Sequence, residues 1–321
     1  MAEKSVKKRV LILLSAYNGE KYLREQLDSL MALEGDFDFT IRVRDDGSTD
    51  GTPAILAAYR REHGIEVIEG ENIGYNRSFF ALLDGAEDGY DYYALCDQDD
   101  VWLPGKFVRA DALLSPRDAA VPLLYAGVLC LAGEDLHERR TLPYPQKPPS
   151  FYNAMLQDIC SGHTMVCNGA LLKWVRGSYR EGVMNYDHWI YLLASAFGEI
   201  VYDDIPQVLY RQHGGNAVGA SGSWLGKTLR RIRYLAEGRA GGMARQLAAF
   251  YGAYAGKMRL AERKELERFL FSRSFFARVR YAFRSRAYRQ SGAETLACKI
   301  LYIFGKFKTE ASANAAVKEK K

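Results

Sequence analysis

Three carboxylates lie within four residues in the segment Cys96-Asp97-Gln98-Asp99-Asp100-Val101-Trp102. The segment follows the apolar run 92–96, which is typical of a buried strand, and precedes Pro104, a favoured first residue of a helix. We therefore expect a tight acidic turn at the carboxyl end of a strand, where open α/β sheets place their ligands. Carboxylates this close repel one another unless a cation or a shared proton neutralises them.

Asp97 and Asp99 are two residues apart, so an extended turn would let both face one point. A hard divalent ion takes one or two carboxylates and fills its other positions with water and phosphate oxygens. A merely solvated acidic turn is the simpler alternative. A calcium loop of the helix–loop–helix type is excluded by spacing, because Trp102 and Val108 stand where that loop needs Gly and Glu.

The residues before the acidic turn alternate between strand-like and helix-like patterns. Strands are predicted at 10–14, around 41–43 and at 65–69, and helical spacing follows each of them, at 22–31, 53–59 and 79–86. This order predicts an α/β fold with a doubly wound, mostly parallel sheet. Residues 121–131 are strand-like, the proline-rich segment 142–150 predicts a loop, and an apolar helix is expected up to Phe197.

Polar side chains end three of the predicted strands. They are Ser15, Tyr17 and Asn18 after the first strand, Asp45 and Asp46 after the second, and Asp97 and Asp99 after the fourth. In a parallel sheet such ends converge on one crevice, where an aromatic ring could stack on a base and a carboxylate could accept from a base or ribose. Neither a G-x-G-x-x-G sequence nor a Walker lysine is present, which disfavours dinucleotide binding and nucleoside triphosphate hydrolysis.

The apolar runs and the cysteines indicate the cellular compartment of the protein. The first apolar run, 10–14, is too short for a signal peptide or a membrane span, and no later run reaches spanning length. Five cysteines at irregular spacing suit a reduced, cytosolic protein. Cys160, His163 and Cys167 lack a further ligand pair at zinc-finger spacing, so buried thiols are the expected state.

The charge is distributed unevenly along the chain. Residues 1–221 contain 21 Lys and Arg against 32 Asp and Glu, a net charge of −11, whereas residues 222–321 contain 23 against 7, a net charge of +16. Residues 222–310 show basic amphipathic helices with interleaved aromatic residues, which suit an anionic membrane surface. A helical subdomain that packs on residues 1–221, or a homo-oligomer interface, is an equal alternative. No nucleic-acid recognition motif is visible, and residues 311–321 predict a disordered tail.

The ordered segments Ser15-Ala16-Tyr17-Asn18-Gly19, Asp45-Asp46-Gly47-Ser48-Thr49-Asp50, Asn72-Ile73-Gly74 and Asp97-Gln98-Asp99-Asp100-Val101-Trp102 resemble the signatures of family 2 glycosyltransferases. The resemblance covers roughly residues 8–219 and implies a GT-A fold, a nucleotide-sugar donor (dTDP- or UDP-), an Mg²⁺ or Mn²⁺ ion on the Asp-x-Asp turn, and inversion at the sugar carbon. It divides the catalytic domain, 1–221, into a nucleotide-binding half (1–115) and an acceptor half (116–221).

The resemblance also implies roles for individual residues. Asp187, which opens the apolar helix, matches the family's catalytic base, although the same charge would suit any helix N-terminus. Asp97, Asp99 and His213 match the metal site. The donor site would comprise Ser15, Tyr17, Asn18, Asp45, Asp46, Arg77, Asp97, Gln98 and the phosphate-facing Arg211. The sugar and acceptor pocket would comprise Trp102, Gly162, His163 and Trp189.

The segments Cys-Asp-Gln-Asp-Asp-Val-Trp and Arg-Gln-His-Gly-Gly-Asn resemble those of rhamnosyltransferases that use dTDP-L-rhamnose. We therefore expect a metal-dependent inverting enzyme, peripheral at the inner face of the cell membrane, that extends a lipid-linked surface polysaccharide. Two other classes compete with it. One is a nucleotidyltransferase, although Tyr17-Asn18-Gly19-Glu20 stands where a basic glycine-rich loop is expected. The other is a non-catalytic metal-binding scaffold that tethers a complex to the membrane.

Overall fold

The computed structural model describes residues 7–213, 239–272 and 274–307. These residues form two compact units whose segments alternate along the chain. The first unit comprises the described residues within 1–144, 160–179 and 197–219, and the second those within 145–159, 180–196 and 220–321. Three predicted segments lie outside the described residues: the Gly-Gly-Asn end of the Arg-Gln-His-Gly-Gly-Asn segment, the first part of the helical region predicted at 222–310, and the tail 311–321. The boundary expected near residue 221 falls there too and stays a prediction.

All described strands belong to the first unit and form two sheets. The strands are β1 Lys8–Ala16, β2 Phe37–Asp45, β3 Glu66–Glu69, β4 Tyr92–Cys96, β5 Val101–Trp102, β6 Leu123–Gly127, β7 Cys130–Ala132, β8 Arg139–Thr141, β9 Val166–Asn168, β10 Glu199–Asp203 and β11 Val208–Arg211. The larger sheet has the order β10-β6-β9-β4-β1-β2-β3, and the smaller one β5-β11-β7-β8. In the larger sheet only β9 runs antiparallel to its neighbours, which confirms the mostly parallel α/β prediction.

The register of the central strands brings their polar ends to one edge. Residues 10–14 of β1 have no exposed surface, as expected for a central strand covered on both faces. Ala16 of β1 pairs with Asp45 of β2, and Leu14 of β1 pairs with Cys96 of β4. The residues that follow these three strands therefore leave the sheet side by side, as the sequence predicted.

The described α-helices are α1 Leu23–Met31, α2 Thr52–His63, α3 Tyr75–Asp84, α4 Lys106–Leu114, α5 Phe151–Ala154, α6 Gly169–Val175, α7 Tyr186–Phe197, α8 Ala240–Tyr254, α9 Leu260–Phe271, α10 Phe275–Arg284 and α11 Gly292–Ile303. Short 3-10 helices occur at Gly162–Thr164 and Ala255–Lys257.

Two local predictions are corrected. Pro104 does not start a helix, because β5 follows the acidic turn and α4 begins two residues later at Lys106. The apolar run 121–131 is two strands rather than one: β6 ends at Gly127, the Val128 amide donates to the Asp203 carbonyl oxygen (3.0 Å), and β7 continues in the other sheet.

The second unit is helical. Trp189 of α7 contacts Phe250 and Tyr254 of α8, with ring centroids 5.5 and 6.2 Å apart, and Phe151 of α5 lies 5.8 Å from Phe250. These rings are almost completely buried and form the core that holds the N-terminal part of the C-terminal region to α5 and α7.

The segment between α10 and α11 also packs on earlier residues. The Tyr288 amide donates to the Tyr152 carbonyl oxygen (3.1 Å), and the Gln290 amide donates to Oε1 of Gln157 (2.8 Å). The C-terminal helices therefore pack on segments that the sequence analysis placed in the catalytic domain, which is the subdomain alternative. None of the helices that the structure describes is both long and apolar enough to cross a membrane.

Candidate active site

The loop after β1 is tied to the acidic turn through the Gln98 side chain. Oε1 of Gln98 accepts from the Tyr17 amide (2.8 Å), and Nε2 donates to the Tyr17 carbonyl oxygen (3.0 Å). A Cβ on Gly19 would lie 2.3 Å from Oε1 of Gln98, so only glycine leaves room for this arrangement. The predicted donor residues Tyr17 and Gln98 are thus adjacent, with the Tyr17 ring half exposed.

The same loop is tied to the loop after β2. Asn18, in the left-handed region at φ 46°, receives the Thr49 amide on Oδ1 (2.8 Å), while its own amide donates to Oγ of Ser48 (2.9 Å). The Gly19 amide donates to Oγ1 of Thr52 at the start of α2 (2.8 Å). Hydrogen bonds therefore link the three predicted strand-end segments into one rim.

Asp45 and Asp46 differ in how much of the carboxylate is used within the protein. Asp46 is buried and accepts the Ile73 and Gly74 amides (3.0 and 2.9 Å) as well as the Arg44 guanidinium. It therefore fixes the loop before α3. Asp45 is also buried, but the structure gives its carboxylate fewer partners: Oδ1 accepts the Ser48 amide (3.0 Å), so Asp45 is the better candidate for a base contact.

Two further predicted donor residues lie on or beside α3. The Ser15 hydroxyl is 2.6 Å from that of Ser78, which also accepts from Arg44 (3.2 Å). The Arg77 side chain is exposed in the first turn of the helix. Ser15 therefore joins β1 to α3, while Arg77 is accessible to a ligand.

The acidic turn presents its carboxylates in two directions. Oδ2 of Asp99 lies 2.8 Å from Nε2 of His213. Oδ2 of Asp97 lies 3.3 Å from Nδ1 of His163, and Oδ2 of Asp100 lies 3.6 Å from the same nitrogen. The His163 ring is buried and stacks on Tyr210, with centroids 4.7 Å apart.

Burial and mutual repulsion act on these groups. Burial, with repulsion from Asp97, raises the pKa of Asp99 against the opposing effect of His213. Burial likewise raises the pKa of Asp100, with His163 opposing and Asp97 and Asp99 contributing. Burial alone would lower the pKa of His163, but Asp100 and Asp97 outweigh it and shift that pKa upward. The turn therefore favours a positive charge beside it.

Two adjoining donor sets could hold a divalent ion. Ligand atoms of Asp97, Asp100 and His163 all lie within 4.8 Å of one another. Among the described residues, Oδ2 of Asp100 and Nε2 of His163 are buried without a hydrogen-bond partner. The second set is Asp99 with His213. Carboxylate oxygens and an imidazole nitrogen suit Mn²⁺, and the carboxylates suit Mg²⁺ as well.

A cleft of about 350 Å³ in the first unit opens beside the acidic turn. Its lining residues are Asn18, Gly19, Lys21, Tyr22, Gln98, Asp99, Glu134 and His213. Asp99 and His213 thus face open space, whereas Asp100 and His163 are buried. An ion bound to Asp99 and His213 could keep positions open for ligand oxygens.

Arg211 and Trp102, predicted to contact ligands, are both buried in the structure. Arg211 is buried, and its guanidinium donates to the carbonyl oxygens of Asp99 (2.9 Å) and Glu134 and to the Glu25 carboxylate. A buried guanidinium needs such acceptors, so Arg211 supports the acidic turn instead of facing phosphate. Trp102 is buried against Phe107 (centroids 5.9 Å apart) and therefore serves as a core residue.

Sequence analysis overlooked Lys106, which is completely buried. Its Nζ donates to the carbonyl oxygen of His163 (3.0 Å), reaches that of Thr164 (3.4 Å), and lies 4.0 Å from the centre of the Trp102 ring. Burial lowers its pKa to about 7. A signal was available, because Lys106 shares helical spacing with the buried residues Ala110 and Leu114. Gly162, the predicted pocket residue, begins the 3-10 turn that Lys106 holds.

The remaining predicted residues belong to the second unit. Asp187 lies in the first turn of α7, and its Oδ1 accepts the His188 amide (2.7 Å). Trp189, expected to line the sugar pocket, has no exposed surface and belongs to the aromatic core described above. His188 is buried and donates from Nε2 to the Ala154 carbonyl oxygen (2.6 Å). The role of Asp187 as a base stays a prediction.

The family assignment agrees with this arrangement of loops. The sequence model of "Glycosyl transferase family 2" matches residues 11–171, which include β1 to β4 and the acidic turn. The chain belongs to this family. The recognition made from the sequence motifs is thereby confirmed.

Two curated relatives are similar to this chain. A dTDP-rhamnosyl transferase of Shigella flexneri, RfbG, is 26% identical over 230 residues, which are 67% of this chain and 76% of that protein. An uncharacterized protein of Mycobacterium tuberculosis is 26% identical over 240 residues, 73% of this chain. The chain spans 65% of the length of that mycobacterial relative.

Solved structures share the fold. S. aureus TarS 1–349 in complex with UDP-GlcNAc has a TM-score of 0.53 at 18% identity, covering 93% of this chain and 89% of that one. The mannosyltransferase PcManGT from Pyrobaculum calidifontis, in complex with GDP-Man and Mn²⁺, has a TM-score of 0.51 at 16% identity, covering 98% and 81%. At these identities the likeness concerns the fold alone, and it confirms the predicted GT-A class.

Proposed function

We propose that this chain is an inverting glycosyltransferase that moves a sugar from a nucleotide-sugar donor to a hydroxyl of a lipid-linked surface polysaccharide. The observation that carries the proposal is the cleft bounded by Asp99 and His213, with the Tyr17 and Asn18 loop on its rim. The site offers aromatic, carboxylate and imidazole groups at the carboxyl ends of parallel strands, where a nucleoside diphosphate would bind.

The base would be recognised at the rim. The half-exposed Tyr17 ring is placed to stack on a base, and the Asp45 carboxylate is suited to accept from the ring N–H of thymine or uracil. Both bases present that donor, so these residues support dTDP- and UDP-sugars equally. We favour dTDP-L-rhamnose, since the acidic-turn and Arg-Gln-His-Gly-Gly-Asn segments resemble rhamnosyltransferases and the relative RfbG of Shigella flexneri is a dTDP-rhamnosyl transferase.

We assign the donor-bound Mg²⁺ or Mn²⁺ ion to Asp99 and His213; the family resemblance adds Asp97, whose Oδ2 faces His163 in this structure. Of the two donor sets, the Asp99–His213 pair is the one on the open cleft, and a donor-bound ion needs positions free for phosphate oxygens. When bound, such an ion would neutralise charge on the leaving diphosphate. Asp100 and His163 would support the turn from the buried side.

The chain's own residues would then carry the transfer. Asp187 would accept the proton of the acceptor hydroxyl, a general-base contribution typically worth about 10²–10⁴-fold. The acceptor oxygen would form its bond to the anomeric carbon while the bond from that carbon to the diphosphate oxygen breaks on the opposite face. Attack opposite the leaving group inverts the configuration at that carbon.

The proposed acceptor and cellular location are inferred from the positive charge of the C-terminal region. The excess of Lys and Arg in residues 222–321 supports a peripheral position on the anionic inner face of a cell membrane, where lipid-linked acceptors would be encountered. A homo-oligomer through the C-terminal helices is the other proposal for this region.

A donor screen tests the function. The full chain is mixed with Mn²⁺ and, in turn, dTDP-rhamnose, UDP-GlcNAc and GDP-mannose, and thermal stability and release of nucleoside diphosphate are measured. A bound donor stabilises the folded state by mass action. We expect the largest shift with dTDP-rhamnose and slow release of dTDP.

The alternatives give different results in this screen or in one added reaction with a nucleoside triphosphate and a sugar phosphate. A scaffold would release no nucleoside diphosphate from any donor. A nucleotidyltransferase would instead release pyrophosphate from a nucleoside triphosphate given with a sugar phosphate. A shift confined to UDP-GlcNAc or GDP-mannose would keep the glycosyltransferase proposal and reject rhamnose.

A further inference from the structure

Helices α10 and α11 expose large aromatic and aliphatic side chains of the kind that proteins normally bury away from water. Phe276 and Phe283 of α10 are 82% and 83% exposed, and Phe304 at the end of α11 is 71% exposed. Leu296 and Ile300 of α11 are exposed as well. Such a concentration within one pair of helices is typical of an interaction surface.

The exposed residues form a stripe on each helix. Phe276 and Phe283 are seven residues apart, with the exposed Arg280 between them, so all three lie on one side of α10. Leu296, Ile300 and Phe304 follow one another at intervals of four along α11. We refer to these six residues as the aromatic–basic face.

Both stripes point away from one shared core. Tyr281 of α10 and Tyr302 of α11 lie 4.8 Å apart between ring centroids, and both contact Phe269 of α9, at 6.0 and 5.0 Å. Nε of Arg278 donates to the Ile303 carbonyl oxygen (2.8 Å), which fastens the two helices together. Since the buried sides of both helices meet at this core, both stripes lie on the outer surface of the second unit.

The positive charge around the aromatic–basic face favours an anionic partner. Residues 275–307 contain seven Lys and Arg and a single acidic residue, Glu294, which is buried and paired with Arg289 (2.9 Å). Two copies meeting through this face would bring like charges together without acidic residues to offset them. An anionic lipid surface accepts both components, because basic side chains meet headgroups while aromatic rings enter the interface.

We propose that the aromatic–basic face docks this protein on anionic phospholipid bilayers, with Phe276, Phe283 and Phe304 inserted at the headgroup level and Arg280 at the phosphates. The proposal rests on the proposed function only in that a lipid-linked acceptor gives the attachment its use. The attachment is peripheral and reversible, since the inserted groups are side chains on short interfacial helices.

The test uses the full chain and vesicles of two compositions, phosphatidylcholine alone and equal parts phosphatidylcholine and phosphatidylglycerol. We expect co-sedimentation with the anionic vesicles only, with partial release at high salt, because charge is screened and aromatic insertion is not. The double variant Phe276→Ser/Phe283→Ser should bind at least about tenfold more weakly. Its side chains are exposed, so folding should be unaffected, and Ile205→Ser, an exposed apolar residue of the first unit, is the matched control.

A second pair of variants tests the charges. Arg280→Gln/Arg284→Gln should weaken anionic binding, whereas Arg60→Gln/Arg61→Gln, which removes the same charge from α2, should not. Equal binding to neutral vesicles, or full binding by the Phe double variant, would overturn the proposal. So would a dimer in solution that the Phe double variant dissociates while vesicles bind neither form.

Failure of the docking proposal is distinguishable from failure of the proposed function. Donor hydrolysis is measured in vesicle-free solution, where the Phe double variant should retain the wild-type rate. Vesicle binding without hydrolysis by any variant would reject the glycosyltransferase and leave the docking face intact.

Discussion

Nε2 of His213 lies 2.8 Å from Oδ2 of Asp99, and both side chains line the cleft. The two residues are 114 positions apart in the chain. Arg211, two residues before His213, is bonded to the Asp99 carbonyl oxygen (2.9 Å), and its own amide donates to Oδ1 of Asp100 (3.1 Å). The end of β11 therefore holds His213 against the acidic turn by several bonds.

The first prediction concerns metal binding by this pair. Asp99→Asn keeps the side-chain shape and should keep the fold, but it should abolish the thermal stabilisation by Mn²⁺ in the presence of donor. His213→Ala should weaken it in the same direction. Asp36→Asn, an exposed carboxylate paired with Lys7, is the matched control. Mn²⁺-dependent turnover at the wild-type level in Asp99→Asn would reject the assignment.

The second prediction concerns the base. Asp187→Asn should lower kcat by about 10²–10⁴-fold and leave donor affinity nearly unchanged, because the lost interaction is used only in the transition state. If Asp187 serves only as a helix N-terminal charge, the substitution should cost about 0.3–1 kcal/mol of stability and leave kcat intact. Transfer to acceptor and thermal unfolding, measured on the same variant, separate these two roles.

The third prediction concerns pH and His188. Burial, opposed by the bond to Ala154 and assisted by Arg289 and Arg239, lowers the pKa of His188 from 6.5 to about 4. Between these values the unfolded chain binds a proton that the folded chain does not. The contribution of His188 to the stability of the second unit is therefore fully present above about pH 6.5 and is lost as the pH falls toward 4. This loss should lower the free energy of unfolding by at most about 3 kcal/mol.

His188→Gln removes the titration and keeps a side-chain donor for the Ala154 carbonyl oxygen. Its stability in urea should change less between pH 7 and pH 4.5 than that of the wild type. His63→Gln, at the exposed end of α2, is the control and should leave the difference unchanged. An equal pH dependence in His188→Gln would show that other groups account for it.

Periodicity was sufficient to predict the parallel sheet and the convergence of three strand ends. Residues 10–14 are apolar at every position because both faces of β1 are covered, and such runs identify central parallel strands. The division of 121–131 into β6 and β7 could not be predicted, since it depends on the Val128–Asp203 bond to a distant strand. Long-range hydrogen bonds of this kind leave no local pattern.

The sequence predicted which types of residue meet at the candidate site, but it did not predict which contacts each side chain makes. Residue types placed Asp97, Asp99 and His213 at one edge, because their segments resemble family motifs. The side chains of Arg211, Trp102 and Trp189 are buried in the structure. The sequence could not predict this, because burial of a particular side chain depends on tertiary packing. The carboxylate of Asp46 is likewise used by the loop at Ile73 and Gly74, a contact that only the folded chain defines.

The last prediction concerns Lys106 as a positioning residue for the 3-10 turn that carries His163. Lys106→Met keeps the apolar stem and removes the donor to the His163 and Thr164 carbonyl oxygens. Stability should change by no more than about 1–3 kcal/mol, because a buried ammonium is itself costly to desolvate and its loss offsets the missing bonds. The turn would then be free to shift, so kcat should fall by about tenfold or more while the donor KM changes little.

Lys173→Met, an exposed lysine of α6, is the control. Activity that falls only in proportion to the unfolded fraction at the assay temperature would assign Lys106 to stability alone.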